Sequence, residues 1–204
     1  MRRLLGAIPT VLLLTGVMFG FNEPPQAIPL FDGKSLEGWV AEQTDGFAVH
    51  DGVLASKPGH GWLRSAELYK NFQLDLEFRM LKESSEGGVL FRASAETGTA
   101  EPHWPIKGYQ APITDGDGSL MLFGHGTTPP RFERKADALK AAVKGPGEWQ
   151  KLTVKAIGPR VEISLDDVLI TVADGVDFDA GHLGLYDKAG LYEWRNLMIR
   201  IHPD

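Results

Sequence analysis

From Phe72 to Met80 the chain reads FQLDLEFRM, with apolar and polar residues in strict alternation. Side chains alternate across a strand, so Phe72, Leu74, Leu76, Phe78 and Met80 share one face and Gln73, Asp75, Glu77 and Arg79 the other. The same parity in GGVLFRA puts Val89, Phe91 and Ala93 together and turns Arg92 to the opposite face with Leu90. In GYQAPI it sets Tyr109, Ala111 and Ile113 against Gly108, Gln110 and Pro112. VEISLDDVLITV predicts a hairpin turning at Asp166-Asp167, with Leu165 facing Val168, Ile163 facing Ile170 and Val161 facing Val172. FAVHDGVLAS predicts another that turns at Asp51-Gly52, a favoured two-residue turn. Further strands are expected at Gln150–Ile157, His182–Tyr186 and Trp194–Ile201. The one helical stretch is Arg134–Gly145, alanine-rich and stopped by Gly145-Pro146. About ten strands and one short helix predict an all-β fold, two antiparallel sheets packed face to face. One face of each sheet makes the core. The charged and amide groups Glu77, Arg79, Arg92 and Gln110 then belong to a solvated floor behind it.

Composition narrows the partners. The 204 residues are 43% hydrophobic and carry a net charge of −6, with no basic cluster beyond the N-terminus. A nucleic-acid partner is not expected, because phosphate binding needs a concentrated Lys/Arg face. Absence of cysteine removes disulfides, thiolate metal sites and a cysteine nucleophile. The six histidines form no H-x-H or H-x-x-x-H pair, so neither a metal nor any other cofactor is expected. Residues 1–22 read as a signal peptide or N-terminal anchor: Arg2 and Arg3 precede an apolar run from Leu4 to Phe21. The expected location is exported, periplasmic or cell-envelope, with membrane contact only through that segment. The rest, 28–204, reads as one domain.

Several stretches, taken in order, carry a family resemblance. LFDGKSLEGW, FQLDLEFRM, GGVLFRA, GYQAPI, GEWQKLTVKAIGPRVEISLDDVLI, GHLGLYD and EWRNLMIRI together resemble the 3-keto-disaccharide hydrolase domain family. The resemblance covers Ile28 to Ile201. It implies a concanavalin A-like jelly-roll sandwich, an exported location, and action on glycosides whose sugar has been oxidised to a 3-ketone. Many members of the family carry Glu where this chain has Gln110 and Gln where it has Pro112, so a carboxylate expected near the site is missing.

A standard glycosidase needs two carboxyl groups flanking the scissile bond. Only Glu77 is placed firmly on the floor, with Asp75 beside it and Asp115 and Asp117 in a nearby loop. A 3-keto glycoside needs less. Its ketone acidifies the C2 hydrogen, so one general base can start elimination of the C1 substituent while cationic or amide donors stabilise the enolate oxygen. Glu77 or His125 is the candidate base, with Arg79, Arg92 or Gln110 near the ketone. Trp62, Trp104 and Tyr109 are candidate platforms for sugar C–H faces, whereas Trp39, Trp149 and Trp194 read as packing. For Glu77 and Arg92 the competing reading is a cross-strand ion pair. Two functions from different classes stay open: an enzyme that hydrolyses or eliminates 3-keto-glycosides, and a non-catalytic carbohydrate-binding module on the same fold.

Overall fold

The alternation of FQLDLEFRM is realised residue for residue in strand β6, Phe72–Met80, whose apolar positions are buried and whose polar positions are half-exposed. In the computed structural model, which describes residues 25–42, 44–57, 61–99, 103–116, 119–177 and 179–204, two antiparallel sheets pack face to face. The expected signal or anchor, 1–22, lies outside the described residues.

The nine-stranded sheet is built around β6. On one side follow β11 (Gln150–Ile157), β12 (Arg160–Leu165), β13 (Val168–Asp174) and the edge strand β10 (Arg131–Arg134). On the other lie β15 (Tyr192–Ile201), β4 (Val53–Ser56) and β3 (Phe47–His50), with β1 (Ala27–Pro29) also paired to β15. The six-stranded sheet runs in the order β2 (Trp39–Glu42), β5 (Gly61–Ser65), β14 (His182–Ala189), β7 (Glu86–Ala93), β8 (Gly108–Thr114), β9 (Phe123–His125). The helix α1 is shorter than expected, Ala136–Ala142.

Between the sheets, the apolar face of β6 meets Leu63, Val89, Phe91, Tyr109, Ala111, Ile113, Leu183 and Leu185 in one buried cluster. Phe72 meets Phe91 edge-on across the gap, with ring centroids 6.4 Å apart, and Phe91 stacks on Tyr109 at 5.6 Å. Aromatic pairs in these geometries add about 0.5–1.5 kcal/mol beyond the area they bury. The Asp51-Gly52 hairpin forms as expected, His50 opposite Val53, and both turn residues take the positive φ (49° and 78°) that such a turn demands.

Two expected parities are corrected. In the Asp166-Asp167 hairpin Leu165 does face Val168, but a bulge between Ile163 and Ser164 shifts the register by one. Ile163 therefore pairs with Thr171, and Val161 with Ala173. The extra residue, Ile170, brings Thr171 inside, where its hydroxyl donates to the Leu120 carbonyl at 2.7 Å, while Val168, beside the turn, is exposed. In β7 a second bulge falls at Arg92, whose φ is +50°. Alternation fails there. Ala93, not Arg92, joins Leu90 on the outer face.

Candidate functional site

The outer face of the six-stranded sheet is unusual in being aromatic. Trp62 of β5, Leu90 and Ala93 of β7 and Tyr186 of β14 form a second buried cluster there, with Trp104 packed against it. Glycines allow the rings to lie down across the sheet. A Cβ at Gly184 would come within 2.7 Å of the Trp62 ring, and one at Gly88 within 2.9 Å of the Tyr186 ring. Each ring thus covers a neighbouring strand's glycine instead of standing upright. Trp104 meets Tyr186 edge-on, centroids 5.1 Å apart and planes at 83°. Among the described residues the buried Trp62 indole N–H has no acceptor.

At the open side of this platform three polar side chains are linked. Gln110, outward on β8 as its parity requires, donates from Nε2 to the Tyr186 hydroxyl oxygen at 2.6 Å. Its Oε1 lies 2.9 Å from His125 Nε2. An amide oxygen only accepts, so this contact puts the imidazole hydrogen on Nε2 and leaves the Nδ1 lone pair available. The second hydrogen of the Gln110 amide likewise remains for another acceptor. Burial holds the His125 pKa below the ordinary histidine value, so the ring is neutral at pH 7. Burial raises the Tyr186 pKa well above the usual phenol range, and the hydroxyl stays protonated. The line His125–Gln110–Tyr186 therefore offers a neutral base and an amide donor side by side. Two acids that share the outer face of this sheet are paired with cations: Glu42, opposite Trp62, with Arg64, and Glu86 with Lys188 at 2.7 Å.

Of the expected site residues, the structure brings together His125, Gln110 and Trp104; Trp62 lies in the cluster against which Trp104 packs but is wholly buried, so it is not the sugar platform expected. Four others are elsewhere. Glu77 and Arg79 do face outward, but from the nine-stranded sheet, on the opposite side of the sandwich. Glu77 accepts from its cross-strand partner Arg195 at 2.6 Å, and Arg79 donates to Glu193 at 2.5 Å. Both guanidinium groups lie over the Trp149 ring, 4.0 Å from its centroid for Arg195 and 4.7 Å for Arg79. That is a charged packing layer, and a cross-strand ion pair forms at Glu77 with Arg195 and not with Arg92, which lies on the other sheet. Arg92 is turned by its bulge to the end of the sandwich. There its buried guanidinium donates to the carbonyls of Lys70 (3.0 and 3.2 Å) and Asp177 (2.8 Å) and clamps two loops. Tyr109 points into the core, where its hydroxyl accepts from the Asp177 N–H at 2.6 Å and donates to the Thr128 carbonyl at 3.2 Å.

Tyr186 and Phe123 are the residues that sequence reasoning missed. GHLGLYD carried the signal for the first, because Leu183 and Leu185 inside require Gly184 and Tyr186 outside. Phe123 sits on a three-residue edge strand too short to show a period.

The fold is a concanavalin A-like jelly-roll whose six-stranded sheet carries a layer of aromatic side chains on its outer face. The chain belongs to the family described as the 3-keto-alpha-glucoside-1,2-lyase-like domain, whose model matches residues 26–200. The fold is similar to two structures from Parabacteroides distasonis ATCC 8503 assigned as glycosyl hydrolases, each with a TM-score of 0.63. One is 17% identical and the other 23%; each alignment covers 87% of this chain, and 94% and 100% of those chains respectively. It is also similar to the carbohydrate binding module CBM66 from Bacillus subtilis, with a TM-score of 0.57 and 17% identity over 80% of this chain and 95% of that one. Among curated proteins, 175 residues align at 25% identity with DNA-directed RNA polymerase subunit beta′ of Synechococcus sp. (strain CC9902), 79% of this chain. The chain spans 12% of the length of that relative.

Proposed function

We propose that the protein cleaves 3-keto-glycosides by elimination across C1 and C2, with His125 as the base. The observation that carries this reading is the Nε2–H···Oε1 contact to Gln110, which fixes a neutral imidazole on the site face with Nδ1 free. Membership of a 1,2-lyase-like family supports elimination over hydrolysis. His125 Nδ1 removes the C2 hydrogen, which the neighbouring ketone has made acidic. The C–H electron pair moves into the C2–C3 bond and the ketone π pair onto its oxygen, giving the enolate. The ketone then re-forms, the pair shifts into a C1–C2 double bond, the C1–O bond breaks, and the departing oxygen takes up a proton, for which the imidazolium just formed is the source. The free Gln110 N–H stabilises the enolate oxygen as charge develops there, the type of contact that contributes most when it is held in place beforehand. Tyr186 accepts from the other N–H and sets the amide's orientation. Trp104, only half-buried, supplies an apolar face for the sugar, and the buried Trp62 belongs to the layer against which it packs.

The pairing of Glu42 and Glu86 with cations favours a second reading, a carbohydrate-binding module without chemistry. Incubation with a 3-keto glucoside and with its unoxidised parent separates the two. The proposal expects aglycone release from the ketone alone. Binding of both sugars without release would establish the module, and equal cleavage of both would refute the keto mechanism.

A further inference from the structure

Phe123 is a large aromatic left 46% exposed on a sheet whose other aromatics are covered. It is the direct cross-strand partner of Gln110, as His125 is of Gly108. Cross-strand partners project from the same face of a sheet, so Phe123 stands on the site face beside the amide. Phe123 and His125 are two positions apart on β9, which separates them along the strand by about 7 Å, roughly the offset from one sugar ring to the group attached to it.

The surroundings give this pair a direction. On the inner side of Gln110 the same row runs to Leu90, fully buried, and then to Gly184, which lies under the Trp62 ring. That way is closed. On the outer side the row ends at Phe123, because β9 is the edge of the sheet. Along this row of described residues, a sugar whose C2 faces His125 has room for its C1 substituent toward the edge.

We infer that Phe123 is the platform for the leaving group, and that the site prefers 3-keto-glycosides whose aglycone presents a flat apolar face, an aryl ring foremost. Phe carries no hydrogen-bonding group, so selection here works by stacking and not by reading hydroxyls. The open edge sets no upper limit on aglycone size. This inference rests on the elimination reading above.

Phenyl and methyl 3-keto-glucosides test it, with kcat/KM measured for the wild type, Phe123→Ala and Phe123→Trp. The expected result is a phenyl-to-methyl ratio that falls about tenfold in Phe123→Ala, the effect of losing about 1.4 kcal/mol of stacking, and is restored in Phe123→Trp. Exposure of Phe123 predicts unchanged melting, which is measured alongside. An unchanged ratio in an active, folded Phe123→Ala overturns the platform and leaves the elimination reading standing. An equal loss on both substrates also overturns it, assigning Phe123 a structural role. A wild type silent on both refutes the elimination reading, and the platform with it.

Discussion

Replacing Glu77 with glutamine removes one negative charge from the nine-stranded sheet and keeps the side chain's shape. The charge is engaged with Arg195 at 2.6 Å, and the two side chains are 31% and 39% exposed. Pairs this open to water are screened, and exposed pairs contribute about 0.2–1 kcal/mol. Arg195 also keeps its seat over Trp149, 4.0 Å from the ring centroid, so the layer does not collapse when the carboxylate is lost. For a chain of this length, 1 kcal/mol moves the melting temperature by about 2–4 °C. Glu77→Gln is therefore expected to lower it by at most about 4 °C, with the difference shrinking in 1 M salt, where the screening length falls to about 3 Å. Turnover of a 3-keto glucoside is expected to match the wild type, since Glu77 lies across the sandwich from Gln110 and His125. Thermal unfolding at two ionic strengths and a single turnover assay check both statements. A folded Glu77→Gln that loses more than tenfold in kcat/KM would refute the placement and return the chemistry to this face.

One strand position along, Phe78→Ala is expected to cost about 3–5 kcal/mol, because Phe78 is buried between the sheets; melting should fall by about 6–20 °C, and an unchanged melting temperature would contradict the parity of β6. The depressed pKa of His125 gives a signed pH dependence. The unfolded ring takes up a proton as pH falls through about 6.5 while the folded ring resists, so its contribution to stability is complete above that value and declines as pH falls toward the folded pKa. His202, shifted in the same direction, adds to the slope, so the difference between wild type and His125→Asn isolates the His125 share. As the catalytic base, neutral His125 also predicts an acid limb in kcat/KM with its inflection below 6.5 in the free enzyme.

Strand parity was largely legible in the sequence because it is a local property. FQLDLEFRM and GYQAPI each place every side chain on the correct face. Alternation separates inside from outside but cannot distinguish the two outsides of a sandwich. That is why Glu77 and Gln110, both outward, seemed to share a floor although β6 and β8 belong to different sheets. The bulge at Arg92 was illegible for another reason. It accommodates Gly181, where a Cβ would lie 2.3 Å from the Arg92 carbonyl carbon, and that approach joins segments 89 positions apart. Gln110 was placed outward by parity, where the structure has it. Its partners depend on β14 and β9 lying on either side of the β7–β8 pair, which only the strand order supplies.

In the proposed reaction a neutral His125 draws the C2 proton from a 3-keto sugar on the outer face of the six-stranded sheet. Solvent exchange reads that step before any bond to the aglycone breaks. A 3-keto glucoside held with the protein in deuterated water is followed by NMR at C2, alongside the unoxidised glucoside, with wild type and His125→Asn. Loss of exchange or elimination by about 10²–10⁴-fold in His125→Asn, with ligand binding retained and the unoxidised sugar inert throughout, is the predicted result. Exchange at the wild-type rate in a folded His125→Asn, or none in the wild type while the sugar is bound, would contradict it.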